Sequence, residues 1–137
     1  MGSASADRHA GRLVRDGINC VIDLRAERER PGLWPDQVVD LHVPLQDHGS
    51  PSVDELREAA ATVAGMVKQG YEVLVHCHAG LERTPTVVCA SLLLMGWPLT
   101  AAYQKVMEVR PGAAPTDGQM AALRALADRL TAESGSA

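Results

Sequence analysis

Residues 73–84 read Val73-Leu74-Val75-His76-Cys77-His78-Ala79-Gly80-Leu81-Glu82-Arg83-Thr84, and the reading of the whole fold turns on them. The opening apolar run, with its two valines, predicts a buried strand. A cysteine follows, then five residues, an arginine and a hydroxyl. Beyond them, the stretch from Pro85 to Met95 is long and apolar enough for a buried helix, which Gly96 ends. The segment is therefore strand, tight loop and helix N-terminus, with a thiol where the strand stops.

That arrangement has chemical consequences. A loop running into a helix N-terminus turns several backbone N–H groups inward, and the helix dipole adds partial positive charge. Such a concavity binds a tetrahedral oxyanion and favours thiolate over thiol. Gly80 permits the tight turn. Arg83 offers a planar fork that can hold two phosphate oxygens, as a lysine cannot. An anion cradle with a nucleophile at its floor suits phosphoryl transfer through a cysteinyl-phosphate.

The pattern His-Cys-x-x-Gly-x-x-Arg-Thr resembles the signature loop of the protein tyrosine phosphatase superfamily, and the rest of the chain is similar to its small dual-specificity branch. A rhodanese-type sulfurtransferase also carries a cysteine loop between strand and helix. Its usual cysteine-to-arginine spacing differs, so it stands as an alternative, as does a sulfur- or arsenate-handling enzyme. The resemblance implies an α/β fold of three layers, with a small, mostly parallel central sheet of about four strands between helices. It also implies a site at the carboxyl ends of the strands.

Working outward from the loop, residues 6–16 read as a helix with Gly17 as its C-cap. Residues 18–24 read as a buried strand. "GINCVIDLRAERE" resembles the early helix-to-strand passage of dual-specificity phosphatases. Members of that family often begin with a further hairpin, which is not recognisable here, so the chain reads as a minimal or trimmed version. Residues 25–30 alternate in charge and read as a solvated face at the rim of the site. Pro31, Gly32 and Pro35 mark a loop, and residues 38–44 read as a strand stopped by Pro44.

Cleavage of a phosphate ester by a thiolate needs a proton donor for the leaving oxygen, and a carboxylic acid on a loop can supply it. "VPLQDHGSPS" resembles the family segment that carries such an aspartate, so Asp47 is the expected general acid. Asp54 is explained by the first turn of the next helix. His48 beside Asp47 reads as a solvated loop residue. Ser52-x-x-Glu55 and Thr116-x-x-Gln119 are capping boxes, each followed by apolar residues at helical spacing. Gly70 closes the first of these helices, and Thr100 reads as the N-cap of a helix ending near Val109. "RPGAAPTDGQ" also resembles the family; there Arg110 reads as a structural tie. Gln119 reads as a cap with a supporting place near the hydrolytic water.

These readings assign roles. Cys77 is the expected nucleophile. Arg83, with the loop N–H groups of His78, Ala79, Gly80, Leu81 and Glu82, is expected to bind phosphate. Thr84 is placed to donate its hydroxyl to the sulfur. The resemblance gives His76 an orienting, thiolate-supporting part. Glu82 adds negative charge beside a dianion site and is expected to point outward. The mechanism requires no cofactor and no metal.

Composition sets outer bounds. A chain of 137 residues makes one catalytic domain, with loose ends expected at about residues 1–5 and 132–137. The net charge of −4 without a basic run argues against nucleic acid or an anionic membrane as partner. Three cysteines in no metal-like pairing, and no secretion signal, point to a reducing cytoplasm. Cys20 and Cys89 sit within apolar runs and read as core residues. The expected function is a monomeric phosphatase of phosphotyrosine and phosphoserine or phosphothreonine in proteins. Phosphoinositides and other small phosphoesters are the alternative substrates, and a non-catalytic phospho-residue-binding module is the alternative function.

Overall fold

The computed structural model describes residues 1, 10–26, 34–45, 50–77 and 80–135. The expected acid Asp47, its neighbour His48, and the loop residues His78 and Ala79 lie outside the described residues, as does the charged stretch 27–30.

Chain order is α1 (Ala10–Arg15), β1 (Cys20–Arg25), β2 (Val39–Leu45), α2 (Val53–Lys68), β3 (Val73–His76), α3 (Arg83–Leu94), α4 (Leu99–Val109) and α5 (Asp117–Gly135). The strands form a parallel sheet in the order β2-β1-β3. The described residues thus contribute three strands where about four were expected, and helices flank them. β1 is central, and its residues from Cys20 to Leu24 are all buried. That explains a nearly unbroken apolar run rather than an alternating one.

Pro44 does not stop β2, which runs on to Leu45. The β1–β2 register is regular from Cys20↔Val39 to Asp23↔His42, then shifts before Arg25↔Leu45. Pro44 falls in that shift, on an outer strand, where its missing N–H costs the ladder nothing.

α2 begins where its capping box places it: Ser52 Oγ accepts from the Glu55 N–H at 3.1 Å. Leu56, Ala59, Ala60, Val63 and Ala64 make its buried face. Past its end, Gly70 takes φ +93°. The Gly70 and Tyr71 N–H groups then reach back to the Val67 and Met66 carbonyls, the left-handed cap expected of this glycine.

α3 is the hub of the helical layer, packing on α2, α4 and α5 and touching β3. Nine of its twelve residues are buried, so it is apolar nearly all round. It begins at Arg83, ahead of Pro85, which occupies the first turn, where a missing N–H leaves no hydrogen bond unmade. α4 starts at Leu99 with Pro98 as N-cap, so Thr100 is a helical residue and not the cap. The reason is that the extended Pro98 already gives its carbonyl to the Ala102 N–H.

The second capping box closes in both directions. Thr116 Oγ1 accepts from the Gln119 N–H at 3.1 Å, and Gln119 Oε1 accepts from the Thr116 N–H at 2.9 Å. α5 then continues to Gly135, through residues expected to be loose. Its distal turns are held to α2 by Arg57–Glu133 at 2.7 Å and Arg129–Asp54 at 2.6 Å. With no phenylalanine in the chain, Ile22, Leu24, Leu56, Val87, Leu123 and Leu126 fill the centre of the core.

Candidate active site

Cys77 is the first residue past β3, and it is buried. Its sulfur accepts a hydrogen bond from the Gly80 N–H at 3.3 Å. That bond requires the chain to double back within three residues, which Gly80 does at φ +76°. The Gly80 N–H therefore faces the sulfur.

Two carbonyls of the same loop are tied down from outside. Gly80 C=O accepts from Arg110 Nε at 3.3 Å, and Leu81 C=O accepts from the Ala114 N–H at 2.6 Å. Arg110 is thus the structural tie it was expected to be.

Arg83 opens α3 and is 1% exposed. Its Nη1 donates to the Leu45 carbonyl at 3.1 Å, which joins it to the end of β2. Thr84 is fully buried, and its Oγ1 has no hydrogen-bond partner among the described residues, Cys77 Sγ included. Glu82, the N-cap of α3, is half-buried and has one carboxylate oxygen shut off from water, so it is not turned fully outward.

Gln119 lies buried at the start of α5. Its Oε1 is 3.2 Å from Thr86 Oγ1, which itself donates to the Glu82 carbonyl at 2.6 Å. The first turns of α3 and α5 are therefore joined beside the loop. A cleft of about 230 Å³ opens there, lined by Leu45, Ser50, Glu55, Arg83, Thr86 and Gln119.

Beneath the site lies a group that the sequence reading passed over. Asp23, in the middle of β1, is 1% exposed. Arg25 grips its carboxylate, with Nη2 at 2.8 Å from Oδ2 and Nε at 3.0 Å from Oδ1. His76, also 1% exposed, stands on the other side with Nε2 3.9 Å from Oδ2. The available signal was a charged residue inside the otherwise apolar run Cys-Val-Ile-Asp-Leu.

Cys20 and Cys89 are free, buried and part of the core. Burial pushes the Cys89 thiol up to about 11. Burial, with a smaller push from the Asp40 charge, raises Cys20. Neither is a thiolate at neutral pH. Among the described residues no group of His, Cys, Asp and Glu side chains is arranged to hold a metal ion.

The parallel sheet flanked by helices, with Cys77 just past the end of β3, is the fold of the cysteine-based protein phosphatases. More narrowly, the chain belongs to the dual specificity phosphatase family, whose catalytic-domain model matches residues 3–129. Dual specificity protein phosphatase 12 of Homo sapiens is 31% identical over 124 residues, which cover 86% of this chain and 36% of that protein. The chain thus spans little more than a third of that relative's length. The crystal structure of human DUSP28 superposes with a TM-score of 0.85 at 29% identity, covering 97% of this chain and 93% of that one. A mouse putative dual specificity phosphatase, solved with zinc tungstate, also gives 0.85, at 31% identity over 97% of this chain and 84% of that one. Membership sets aside the sulfurtransferase alternative.

Proposed function

We propose that the chain hydrolyses phosphotyrosine and phosphoserine or phosphothreonine in proteins, with Cys77 as nucleophile. The observation that carries this reading is the Gly80 N–H directed at the Cys77 sulfur, just ahead of a helix that opens on a buried arginine. A similar dual specificity phosphatase was crystallised in complex with zinc tungstate, and tungstate is a tetrahedral oxyanion like phosphate, which supports the reading.

In the first step the Cys77 thiolate attacks phosphorus in line. The S–P bond forms, the P–O bond to the alcohol or phenol breaks, and Asp47 gives its proton to the leaving oxygen. Asp47 then takes a proton from water, whose oxygen attacks phosphorus. The S–P bond breaks, and inorganic phosphate and the thiolate are released. Arg83 and the loop N–H groups from His78 to Glu82 hold the equatorial oxygens, where charge spreads. The Thr84 hydroxyl, buried and without a partner among the described residues, donates to the departing sulfur in the second step. Gln119 supports the site chiefly by joining the starts of α3 and α5. The Arg83–Leu45 bond, whose acceptor is two residues before Asp47 in the sequence, supports pairing these two roles.

We place the chain as a monomer in a reducing cytoplasm; its three free cysteines support that setting. No helix among the described residues is long and apolar enough to cross a membrane. The test is hydrolysis of an aryl phosphate by wild type, Cys77→Ser and Asp47→Asn, in reductant and without metal. Cys77→Ser is expected to be inactive. Asp47→Asn is expected to lose about 10²–10⁴ in rate, most of all with poor leaving groups. Activity indifferent to Cys77 overturns the reading.

A further inference from the structure

Asp23 and His76 are register partners across the parallel β1–β3 pair, and His76 immediately precedes the nucleophile. Burying a carboxylate is costly unless it is paired and hydrogen-bonded. Arg25 already meets that need, through its side chain and through its backbone N–H at 2.9 Å from Oδ1. Asp23 is therefore not held in place for want of a partner. Its Oδ2 nonetheless faces the His76 ring at 3.9 Å, in a region that excludes water.

We infer that Asp23 is a positioning residue which, through His76, stabilises the thiolate of Cys77. This rests on Cys77 being the nucleophile proposed above. A carboxylate within about 4–6 Å favours the protonated imidazole, and a cation beside a cysteine favours the thiolate. Arg25 Nη2 and His76 Nε2 both approach the same oxygen, Asp23 Oδ2, so the carboxylate is shared between its neighbour on β1 and the residue before Cys77. Burial alone would raise the Asp23 carboxyl, but the Arg25 hydrogen bonds and the His76 charge hold it below its ordinary value. The other charged groups of the surrounding elements, among the described residues, are few. His42 on β2 is in register with Asp23 but is exposed and bonded to the Arg25 carbonyl. Glu82 and Arg83 stand where α3 begins.

The test is a titration of the Cys77 thiolate by its ultraviolet absorbance, with Cys77→Ser as the blank. It is run on wild type, Asp23→Asn, His76→Asn and the double variant. The wild-type midpoint serves as the reference. Asp23→Asn and His76→Asn are each expected to raise it by about one pH unit. The double variant is expected to shift it no further than His76→Asn alone, because Asp23 acts through that ring. An unchanged midpoint in Asp23→Asn overturns the inference, as does a shift that persists undiminished in the His76→Asn background. If Asp23→Asn fails to fold because Arg25 is stranded, Asp23→Asn/Arg25→Gln poses the same question without an orphan charge. Aryl phosphate hydrolysis that survives Cys77→Ser sinks the nucleophile reading itself, whereas hydrolysis lost in Cys77→Ser with a midpoint indifferent to Asp23 sinks only this inference.

Discussion

Arg83 Nη1 donates to the Leu45 carbonyl across 3.1 Å, which joins the first residue of α3 to the last residue of β2. Both residues are buried, so the guanidinium is held at the mouth of the segment that carries Asp47. The planar fork proposed to hold phosphate thus also ties α3 to β2.

Arg83→Lys is therefore expected to be a severe change despite keeping the charge. The catalytic efficiency kcat/KM towards an aryl phosphate should fall by about 10²–10³, as for loss of a transition-state donor. Unfolding in urea should show a loss of about 1–3 kcal/mol, for a charged hydrogen bond left unmade. A lysine variant within about ten-fold of wild-type efficiency would exclude the clamp.

Gly118, in the first turn of α5, presses on the segment that follows Asp47. A Cβ there would lie 1.8 Å from Ser50 Oγ, 2.7 Å from its Cβ and 3.3 Å from its Cα. Gly118→Ala should force Ser50 and the chain before it away from α5, at about 1–3 kcal/mol. It should also lower kcat, since the proposed acid Asp47 lies three residues before Ser50 in the sequence. Ser50→Gly in the same chain should restore both, as read by urea unfolding and steady-state rates. A Gly118→Ala variant with wild-type stability and kcat would show that the two segments do not press on each other.

Stability should fall at both ends of the pH range, for opposite reasons. The Cys89 thiol, raised from 9.0 to about 11 by burial, prefers the neutral form when folded. Its contribution is complete below about pH 9 and is lost as pH climbs towards 11, at no more than about 1.4 kcal/mol per unit. Cys20 adds in the same direction. Asp23 is depressed on balance, because the Arg25 hydrogen bonds and the His76 charge outweigh burial. Its contribution is complete above about pH 3.9 and is lost as pH falls through its lower folded value. Urea unfolding followed across this range should show the alkaline limb flattened in Cys89→Ala and the acid limb flattened in Asp23→Asn. An alkaline limb unchanged by Cys89→Ala would place the titrating group elsewhere.

Much of this molecule is legible locally. Gly70 and the two capping boxes lie within a few residues of the helix ends they control, and each acts as its spacing predicts. Thr100 misleads because a hydroxyl in the right place is outcompeted by Pro98, whose extended backbone starts the helix earlier. Pro44 misleads because a proline ends a central strand but is tolerated on an outer one, and the order of strands is not written beside it.

The sequence by itself determined the strand-loop-helix unit around Cys77 and the caps that start α2 and α5. These depend on short spacings, where residue type and backbone geometry are coupled directly. Only the tertiary structure decided which side chains stand behind the nucleophile. Asp23 meets His76 across two strands, Arg83 reaches Leu45, and Gly118 meets Ser50. Each of those pairs is more than thirty residues apart in the chain. Such contacts follow from the parallel register and from helices closing over it, and no local pattern encodes either.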